Sequence, residues 1–203
     1  MENELLRKAA VKLASWMNQY AYREGLELRK LEIGIEFLLI NTSKIIIIYT
    51  LAALLGILWQ SFVLHLAFVI AKRYSFGVHA LNSTVCTLIS CLMFVASPLL
   101  LDGLGINNHL VIISFTAVIY ILYLYAPADT KARPLIGVGL RAGLKRRAVA
   151  SGITLMLVAL LIPSEPVKLL LTLGALYQSV SILPITYKFL KRSERNYEAH
   201  EGT

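Results

Sequence analysis

The chain has 203 residues, of which 57% are hydrophobic and only 16% are charged, and its mean hydropathy is +0.67. Because soluble domains typically carry about 25% charged residues, this composition excludes an ordinary soluble enzyme and indicates an integral membrane protein long enough for roughly five to seven spans. The formal net charge of +8 comes from basic residues that lie between the apolar runs, so it indicates membrane topology and not a nucleic-acid partner.

The first 40 residues are predicted to form amphipathic helices on the cytoplasmic side. Between residues 3 and 22 the apolar side chains recur with a helical period and form one stripe. Such a helix lies either on the membrane surface or against the rest of the protein, and the sequence leaves both possibilities open. Gly25 is its predicted end, and a second, shorter amphipathic stretch follows at residues 26–40. Because no apolar segment of signal-peptide type occurs here, the N-terminus is predicted to remain in the cytoplasm.

Six apolar segments follow, and we therefore predict an all-α integral membrane protein with about six transmembrane helices. The predicted spans cover residues 42–56, 58–72, 81–100, 109–126, 148–163 and 167–188. The first two are separated by a turn near Gly56, because one helix from 42 to 70 would be about 43 Å long and the hydrocarbon core is only about 30 Å thick. In this plan residues 1–40 form the amphipathic region, 41–190 the six-span membrane domain and 191–203 a cytoplasmic tail.

The distribution of positive charge predicts which side of the membrane each connection faces. In the six-span plan, all of the 20 Lys and Arg residues except Lys168 fall on the side of the N-terminus. The connections on the other side are short and nearly free of positive charge, and they lie near residue 57, at 101–108 and at 163–166. We therefore predict a multi-pass cell-membrane protein with both termini, residues 73–80 and the basic loop at 127–147 in the cytoplasm.

One segment places an imidazole and a thiol close together in the sequence. His79 and Cys86 are seven positions apart in "RYSFGVHALNSTVC", residues 73–86. On one continuous helix they would share a face but stand about 10.5 Å apart along the axis, which is too far for proton transfer. The pair can act together only if His79 precedes the helix and the chain folds back, and Gly77 supplies the backbone freedom for such a turn.

The same segment offers a helix start that would suit a reactive thiol. Asn82 and Ser83 are good N-cap residue types, so a helix is predicted to begin near residue 83. Cys86 would then lie in the first turn, where the positive end of the helix dipole favours the thiolate together with the nearby Lys72 and Arg73.

A structural interpretation of the same residues also stays open. A lone Cys in an apolar helix is usually a small buried hydrophobe, and a His at a membrane boundary is often merely interfacial. Cys91 is predicted to be a core residue, and helix geometry excludes a disulfide between Cys86 and Cys91. His65 falls in the middle of a predicted span without an obvious partner in the sequence. No metal-binding or phosphate-binding motif occurs, and no cofactor is expected.

Several motifs resemble those of one known family. "AKRYSFGVHALNSTVC" resembles the catalytic segment of the accessory gene regulator B (AgrB) family of Gram-positive quorum-sensing systems, which has a basic pair, Gly-x-His-Ala and a Cys seven positions after the His. "YAPADTKARPL" is similar to that family's Tyr-Ala-Pro-Ala-x-Thr-Lys-x-x-Pro loop. Similar residues also occur at "NTSK" and "ILPI", so the quoted motifs cover residues 71–86, 125–135, 41–44 and 182–185.

The chain departs from the family pattern at two positions. Val78 precedes the His where many members have Gly or Ala, so a backbone oxyanion donor at this position need not be glycine. Asp129 stands where some members have Ala, which argues against an obligatory catalytic role for this carboxylate.

The resemblance implies a membrane-embedded cysteine endopeptidase that acts on a short AgrD-type precursor peptide, with residues 73–90 as the catalytic segment. Cys86 is the expected nucleophile, and His79 is expected to take its proton and pass it to the leaving amine. The acyl-enzyme thioester would then be attacked by a thiol or hydroxyl of the precursor, so that the product is a thiolactone or lactone ring. Exclusion of water at the membrane face would protect the thioester from hydrolysis.

The basic loop at 127–147 has two expected roles. It holds the topology, and it is also hypothesised to bind the charged precursor tail through Lys131 and Arg133, with Arg73 as a further substrate-binding residue. Besides the precursor, the expected partners are lipid and an identical subunit in a homodimer, with no nucleic acid. Two other functions stay open, a peptide transporter or exporter without catalysis and a membrane scaffold for a sensor kinase.

Overall fold

A computed structural model describes residues 2–77, 83–129 and 135–190 of the chain. Across these residues the backbone is helical and contains no strand, which confirms the predicted all-α class. In chain order the helices are α1 (Glu2–Ala21), α2 (Gly25–Leu54), α3 (Leu58–Ser75), α4 (Ser83–Cys91), a π-helical turn (Leu92–Ala96), α5 (Ser97–Leu100), α6 (Asn108–Tyr125), α7 (Val138–Leu161), α8 (Glu165–Ser181) and α9 (Pro184–Phe189).

The N-terminal helix packs against the protein itself. Ala10 and Ala14 of α1 are buried against Ile35 of α2 and form a small core separate from the main one. The prediction that Gly25 ends α1 is wrong, because α1 ends at Ala21 and Gly25 is the first residue of α2. The chain turns at Tyr22, whose φ is +46°.

The second predicted amphipathic stretch and the first predicted span form one helix. α2 runs without a break through 30 residues, about 45 Å at 1.5 Å per residue, so only part of it fits within a hydrocarbon core. The predicted turn near Gly56 is confirmed. Gly56 has a φ of +71° and its N–H donates to the carbonyl of Ala53 at 3.1 Å.

Two of the predicted spans are interrupted. The segment 81–100 widens into the π-helical turn before Pro98, because proline has no N–H for the helix and its ring crowds the preceding carbonyls. The segment 167–188 breaks between Ser181 and Pro184, and Pro184 begins the short helix α9.

The main core forms where α3 crosses α8, with α6 and α7 packed beside them. Gly174 of α8 lies directly on the backbone of α3, since a Cβ built there would stand 2.5 Å from the carbonyl oxygen of Leu64 and 2.8 Å from the Cβ of Ala67. Ala175 and Ala71 are also fully buried at this crossing. Small residues of this kind allow helix backbones to approach closely, as is usual in membrane bundles.

The surface of the described residues is unusually apolar. Large side chains such as Phe37 and Leu38 on α2 and Ile113 on α6 are 58%, 63% and 66% exposed, which indicates contact with lipid or another apolar partner. Two of the described helices, Gly25–Leu54 and Asn108–Tyr125, are long and apolar enough to cross a membrane. The six-span plan stays a prediction.

The connections of the bundle collect at two opposite ends. At one end, Gln60 lies 3.4 Å from Asp102, and the N–H of Ile106 donates to the carbonyl of Glu165 at 3.4 Å. This end therefore joins the three connections that carry little positive charge. The other end joins the end of α3, the loop after α6 and the start of α9, and we call it the site end because it carries the residues described next.

Candidate active site

The chain leaves α3 toward His79 through a constrained backbone. Phe76 and Gly77 have φ values of +59° and +116°, both in the left-handed region. Phe76 pairs with Ala128 in an isolated parallel bridge. In this pairing the N–H of Ala128 donates to the carbonyl of Ser75 at 2.9 Å, and the N–H of Gly77 donates to the carbonyl of Ala128 at 3.2 Å. The two motifs quoted above are thus physically joined.

A buried amide from α8 holds the other side of the same segment. Gln178 is completely buried, and its Nε2 donates to the hydroxyl of Ser75 at 2.8 Å and to the carbonyl of Phe76 at 2.6 Å. Sequence analysis missed Gln178, because its partners are more than 100 residues away.

Cys86 lies in the first turn of α4. The described part of this helix runs from Ser83 to Cys91. Cys86 is partly exposed, and it lies within electrostatic range of the ammonium group of Lys72. The Lys72 ammonium also lies 5.0 Å from the ring centroid of Phe68 on its own helix.

Three of the predicted site residues, His79, Lys131 and Arg133, lie outside the described residues. The proximity of the His79 imidazole and the Cys86 sulfur therefore stays a prediction. Arg73 is exposed at the end of α3 with its guanidinium 5.7 Å from the ring centroid of Tyr74.

The surface beside Arg73 carries more positive charge. The guanidinium of Arg147 on α7 lies 5.9 Å from the ring centroid of Tyr74. Arg73 and Arg147 therefore both contact the Tyr74 ring, and they bring cations from α3 and α7 together at the site end.

A cavity of about 340 Å³ opens beside the loop that pairs with Phe76. We call it the basic groove, and it is lined by Leu124, Tyr125, Ala126, Pro127, Ala128, Asp129, Val138, Arg141, Ala142, Lys145, Ile182, Pro184 and Tyr187. Its floor is fixed by the Tyr187 hydroxyl, which donates to the backbone carbonyl of Asp129 at 3.0 Å. The groove combines apolar walls with the cations Arg141 and Lys145 and with the buried Asp129, and the guanidinium of Arg141 also donates to the carbonyl of Leu135 at 3.1 Å. Apolar walls with two cations suit a peptide that carries both apolar and acidic side chains.

His65 and Cys91, the other two residues considered for chemistry, make packing and hydrogen-bond contacts away from the candidate site. His65 bonds through Nδ1 to the hydroxyl of Tyr49 at 3.0 Å, and its ring lies 4.6 Å from that of Phe94. These contacts supply the partners that the sequence did not reveal. Cys91 packs against the main core, as predicted.

The fold and the site define an all-helical, membrane-associated protein with a cysteine in the first turn of a helix beside a lysine. Comparison with known proteins identifies the family. Residues 8–182 match the family described as accessory gene regulator B. The chain belongs to this family, which has a role in accessory gene regulator quorum-sensing peptide processing and acts within the corresponding peptide system.

Named relatives match over most of their length. An AgrB-like protein of Clostridium acetobutylicum is 40% identical over 202 residues, which cover 100% of this chain and 97% of the relative. An AgrB-like protein of Listeria monocytogenes is 44% identical over 172 residues, covering 85% and 84% of the two chains. The accessory gene regulator protein B of Staphylococcus intermedius is 32% identical over 181 residues, covering 89% and 95%. No solved structure matches.

Proposed function

We propose that this protein is a membrane-embedded cysteine endopeptidase that removes the C-terminal part of an AgrD-type precursor and promotes cyclisation of the remaining peptide. The observation that carries the proposal is the position of Cys86, which lies in the first turn of α4, partly exposed and within electrostatic range of Lys72. A cation at this position would offset the negative charge that the sulfur carries as it attacks a carbonyl carbon.

In the first step the Cys86 sulfur attacks the peptide carbonyl that follows the future signal. The His79 imidazole takes the thiol proton and donates it to the leaving amine as the carbon–nitrogen bond breaks. The C-terminal tail departs with a new amino group, and the signal portion remains attached to Cys86 as a thioester.

In the second step a thiol or hydroxyl within the bound peptide attacks the same carbonyl carbon. The carbon–sulfur bond to Cys86 breaks, the proton of the attacking group returns to Cys86, and a thiolactone or lactone ring is released. Exchange between two thioesters is nearly balanced in free energy, so ring closure to a thiolactone adds little to the cost already met when the amide was converted into the acyl-enzyme thioester. The apolar surroundings at the membrane boundary would slow the competing attack by water.

The basic groove is the proposed docking site for the precursor tail. Its Lys145 and Arg141 lie one helical turn apart on α7, and its wall includes Ala128, which is bonded to Ser75 and Gly77 at the entrance to the catalytic segment. Lys131 and Arg133 of the adjoining loop and Arg73 of α3 are proposed to contribute further contacts. A tail bound there would lie beside the segment that carries His79.

The docking proposal is tested by steady-state kinetics on the precursor. Replacing Lys145 with Gln is expected to raise KM several-fold with little change in kcat, and the Lys131→Gln/Arg133→Gln double variant is expected to weaken processing while membrane insertion is unchanged. Arg146→Gln is the matched control, because Arg146 is exposed on the same helix and does not line the groove. Equal KM values for Lys145→Gln and the control would refute docking in the groove.

The peptidase itself is tested by co-expressing the protein with an AgrD-type precursor and measuring precursor length by mass spectrometry. Cys86→Ala, Cys86→Ser and His79→Ala are expected to leave the precursor uncut, and Cys91→Ser is expected to cut it like the wild type. Cleavage retained in the Cys86 and His79 variants, with export of the product lost, would instead favour a transporter.

The proposed setting of this reaction is the cytoplasmic face of the cell membrane, with six spans and both termini inside the cell. A homodimer is proposed as the functional unit. Labelling of single cysteines introduced at residues 103 and 139 tests the orientation, since the six-span plan places these positions on opposite sides of the membrane.

A further inference from the structure

Building on the proposed peptidase, we propose that Gln178 is a positioning residue for catalysis. Its side chain fixes the backbone that leads to His79 and thereby sets where the imidazole stands relative to the Cys86 sulfur. Gln178 does not itself contact the reacting atoms in this proposal. It acts through the chain at Ser75 and Phe76, four and three residues before His79.

The hydrogen bonds of Gln178 are directed at one short stretch of chain. The amide nitrogen uses both of its hydrogens there, one on the hydroxyl of Ser75 at 2.8 Å and one on the carbonyl of Phe76 at 2.6 Å. The amide oxygen accepts from the hydroxyl of Ser181 at 3.1 Å. Because the amide is fully buried, loss of these partners would leave polar groups unsatisfied, so this orientation is strongly preferred.

The bonded carbonyl belongs to a residue that has left the helix. Phe76 has a φ of +59°, a conformation that a side chain of this size rarely adopts without support from its surroundings. Within residues 2–77, 83–129 and 135–190, no backbone N–H bonds to its carbonyl. The bond from Gln178 therefore holds the first non-helical residue after α3 in place.

Gly77, the next residue, lies so close to α8 that its backbone has no space to take a different course. A Cβ built on Gly77 would stand 2.7 Å from the hydroxyl oxygen of Ser181 and 3.4 Å from the amide nitrogen of Gln178. The backbone of Gly77 thus lies directly on this face of α8. On its other side the N–H of Gly77 donates to the carbonyl of Ala128, so the segment is held between α8 and the loop after α6.

A purely structural role would explain the burial of Gln178, so the test must separate position from stability. Misplacement of a catalytic group by about 1 Å can cost on the order of 100-fold in rate. We therefore expect Gln178→Met to lower kcat for precursor cleavage by about 100-fold while KM stays within about threefold. Met matches the side-chain length but makes none of the three hydrogen bonds.

The decisive readout is the pH dependence of Cys86 alkylation by iodoacetamide, measured without precursor in a Cys91→Ser background. Wild-type protein is expected to react at neutral pH in a His79-dependent manner. Gln178→Met is expected to lose this reactivity at neutral pH, as His79→Ala does, and the Gln178→Met/His79→Ala double variant is expected to equal His79→Ala. Ser179→Ala is the matched control, because Ser179 is fully buried on the same helix and its hydroxyl donates to the carbonyl of Leu176 within that helix.

The outcomes separate this proposal from the peptidase itself. If wild-type protein does not cut the precursor, the peptidase fails while alkylation still reports the positioning of His79. If Gln178→Met alkylates like Ser179→Ala, or if its effect multiplies with that of His79→Ala, the positioning role is refuted. Should Gln178→Met fail to fold, Ser181→Ala is expected to show a smaller shift of the same alkylation profile. This variant removes the hydroxyl that donates to the amide oxygen of Gln178 at 3.1 Å and to its backbone carbonyl at 2.8 Å, and it leaves the bonds to Ser75 and Phe76 in place. An unchanged profile in a folded Ser181→Ala would also refute the positioning role.

Discussion

Replacing Gly174 with Ala is expected to push apart the two helices that form the centre of the bundle. The new Cβ would meet the carbonyl oxygen of Leu64 at 2.5 Å, the Cβ of Ala67 at 2.8 Å and the backbone nitrogen of Phe68 at 2.9 Å. These atoms belong to the backbone or lie directly on it, so they cannot swing away. Restoring ordinary contact distances requires α3 and α8 to separate by several tenths of an ångström or more, at a cost of about 1–3 kcal/mol.

The expected loss of stability is larger than the gain in helix propensity. Alanine favours a helix interior over glycine by about 0.5–1 kcal/mol, so the net effect is a loss of up to about 2.5 kcal/mol. Gly143→Ala on α7 is the matched control, because nothing lies within 4 Å of a Cβ there. Thermal unfolding of the detergent-solubilised variants is expected to rank Gly143→Ala at or above wild type and Gly174→Ala below it. A Gly174→Ala protein that melts like the control would refute the close crossing.

The same substitution is expected to reduce processing. Gly174 and Gln178 are four residues apart on α8 and therefore face α3 together. Separation of the two helices would lengthen the bonds from Gln178 to Ser75 and Phe76, so precursor cleavage measured below the melting temperature is expected to fall in Gly174→Ala and to stay normal in Gly143→Ala. Normal cleavage in a destabilised Gly174→Ala would separate the packing of the crossing from the geometry of the site.

Three further substitutions have defined expectations. Gly77→Ala introduces a Cβ at a φ of +116° and 2.7 Å from a hydroxyl oxygen; it is expected to cost about 1–3 kcal/mol and to abolish cleavage, and normal cleavage would contradict the described turn. Tyr187→Phe removes the bond to the Asp129 carbonyl and is expected to lower stability by about 1 kcal/mol and to raise KM for the precursor. An unchanged KM would show that this bond does not shape the groove. Lys168→Met removes the 2.7 Å bond to Asn108 at the end of the bundle opposite the site end, so it is expected to lower the melting temperature while leaving KM for the precursor unchanged. A raised KM would contradict the separation of the two ends.

Local sequence signals predicted the parts of the fold that depend on neighbouring residues. The helix Asn108–Tyr125 agrees with its predicted span to one residue at each end, because Asn107 caps it by accepting from the N–H of Leu110 at 3.0 Å. The turn at Gly56 was predicted because a single helix over 42–70 would be longer than the hydrocarbon core is thick, and Gly56 has the positive φ of such a turn. In each case the deciding interaction lies within a few positions of the residue that signals it.

Features that depend on distant parts of the chain were not predictable in this way. The role of Gln178 depends on a crossing of α8 with α3, and the basic groove forms from α6, α7 and α9. A buried glutamine in an apolar helix gives no sign in the sequence of which backbone it will bond. The amphipathic pattern of α1 likewise could not distinguish a lipid surface from α2, because both offer an apolar face.

The most direct test of the proposed chemistry is the intact mass of the protein after reaction with a precursor whose ring-forming Cys or Ser is replaced by Ala. Ring closure is then blocked, and the protein is expected to carry an added mass equal to the N-terminal portion of the precursor, attached at Cys86 and released by hydroxylamine. The adduct should persist in Cys91→Ser and disappear in Cys86→Ala. A shortened precursor released by Cys86→Ala, or an adduct located at another residue, would contradict Cys86 as the nucleophile.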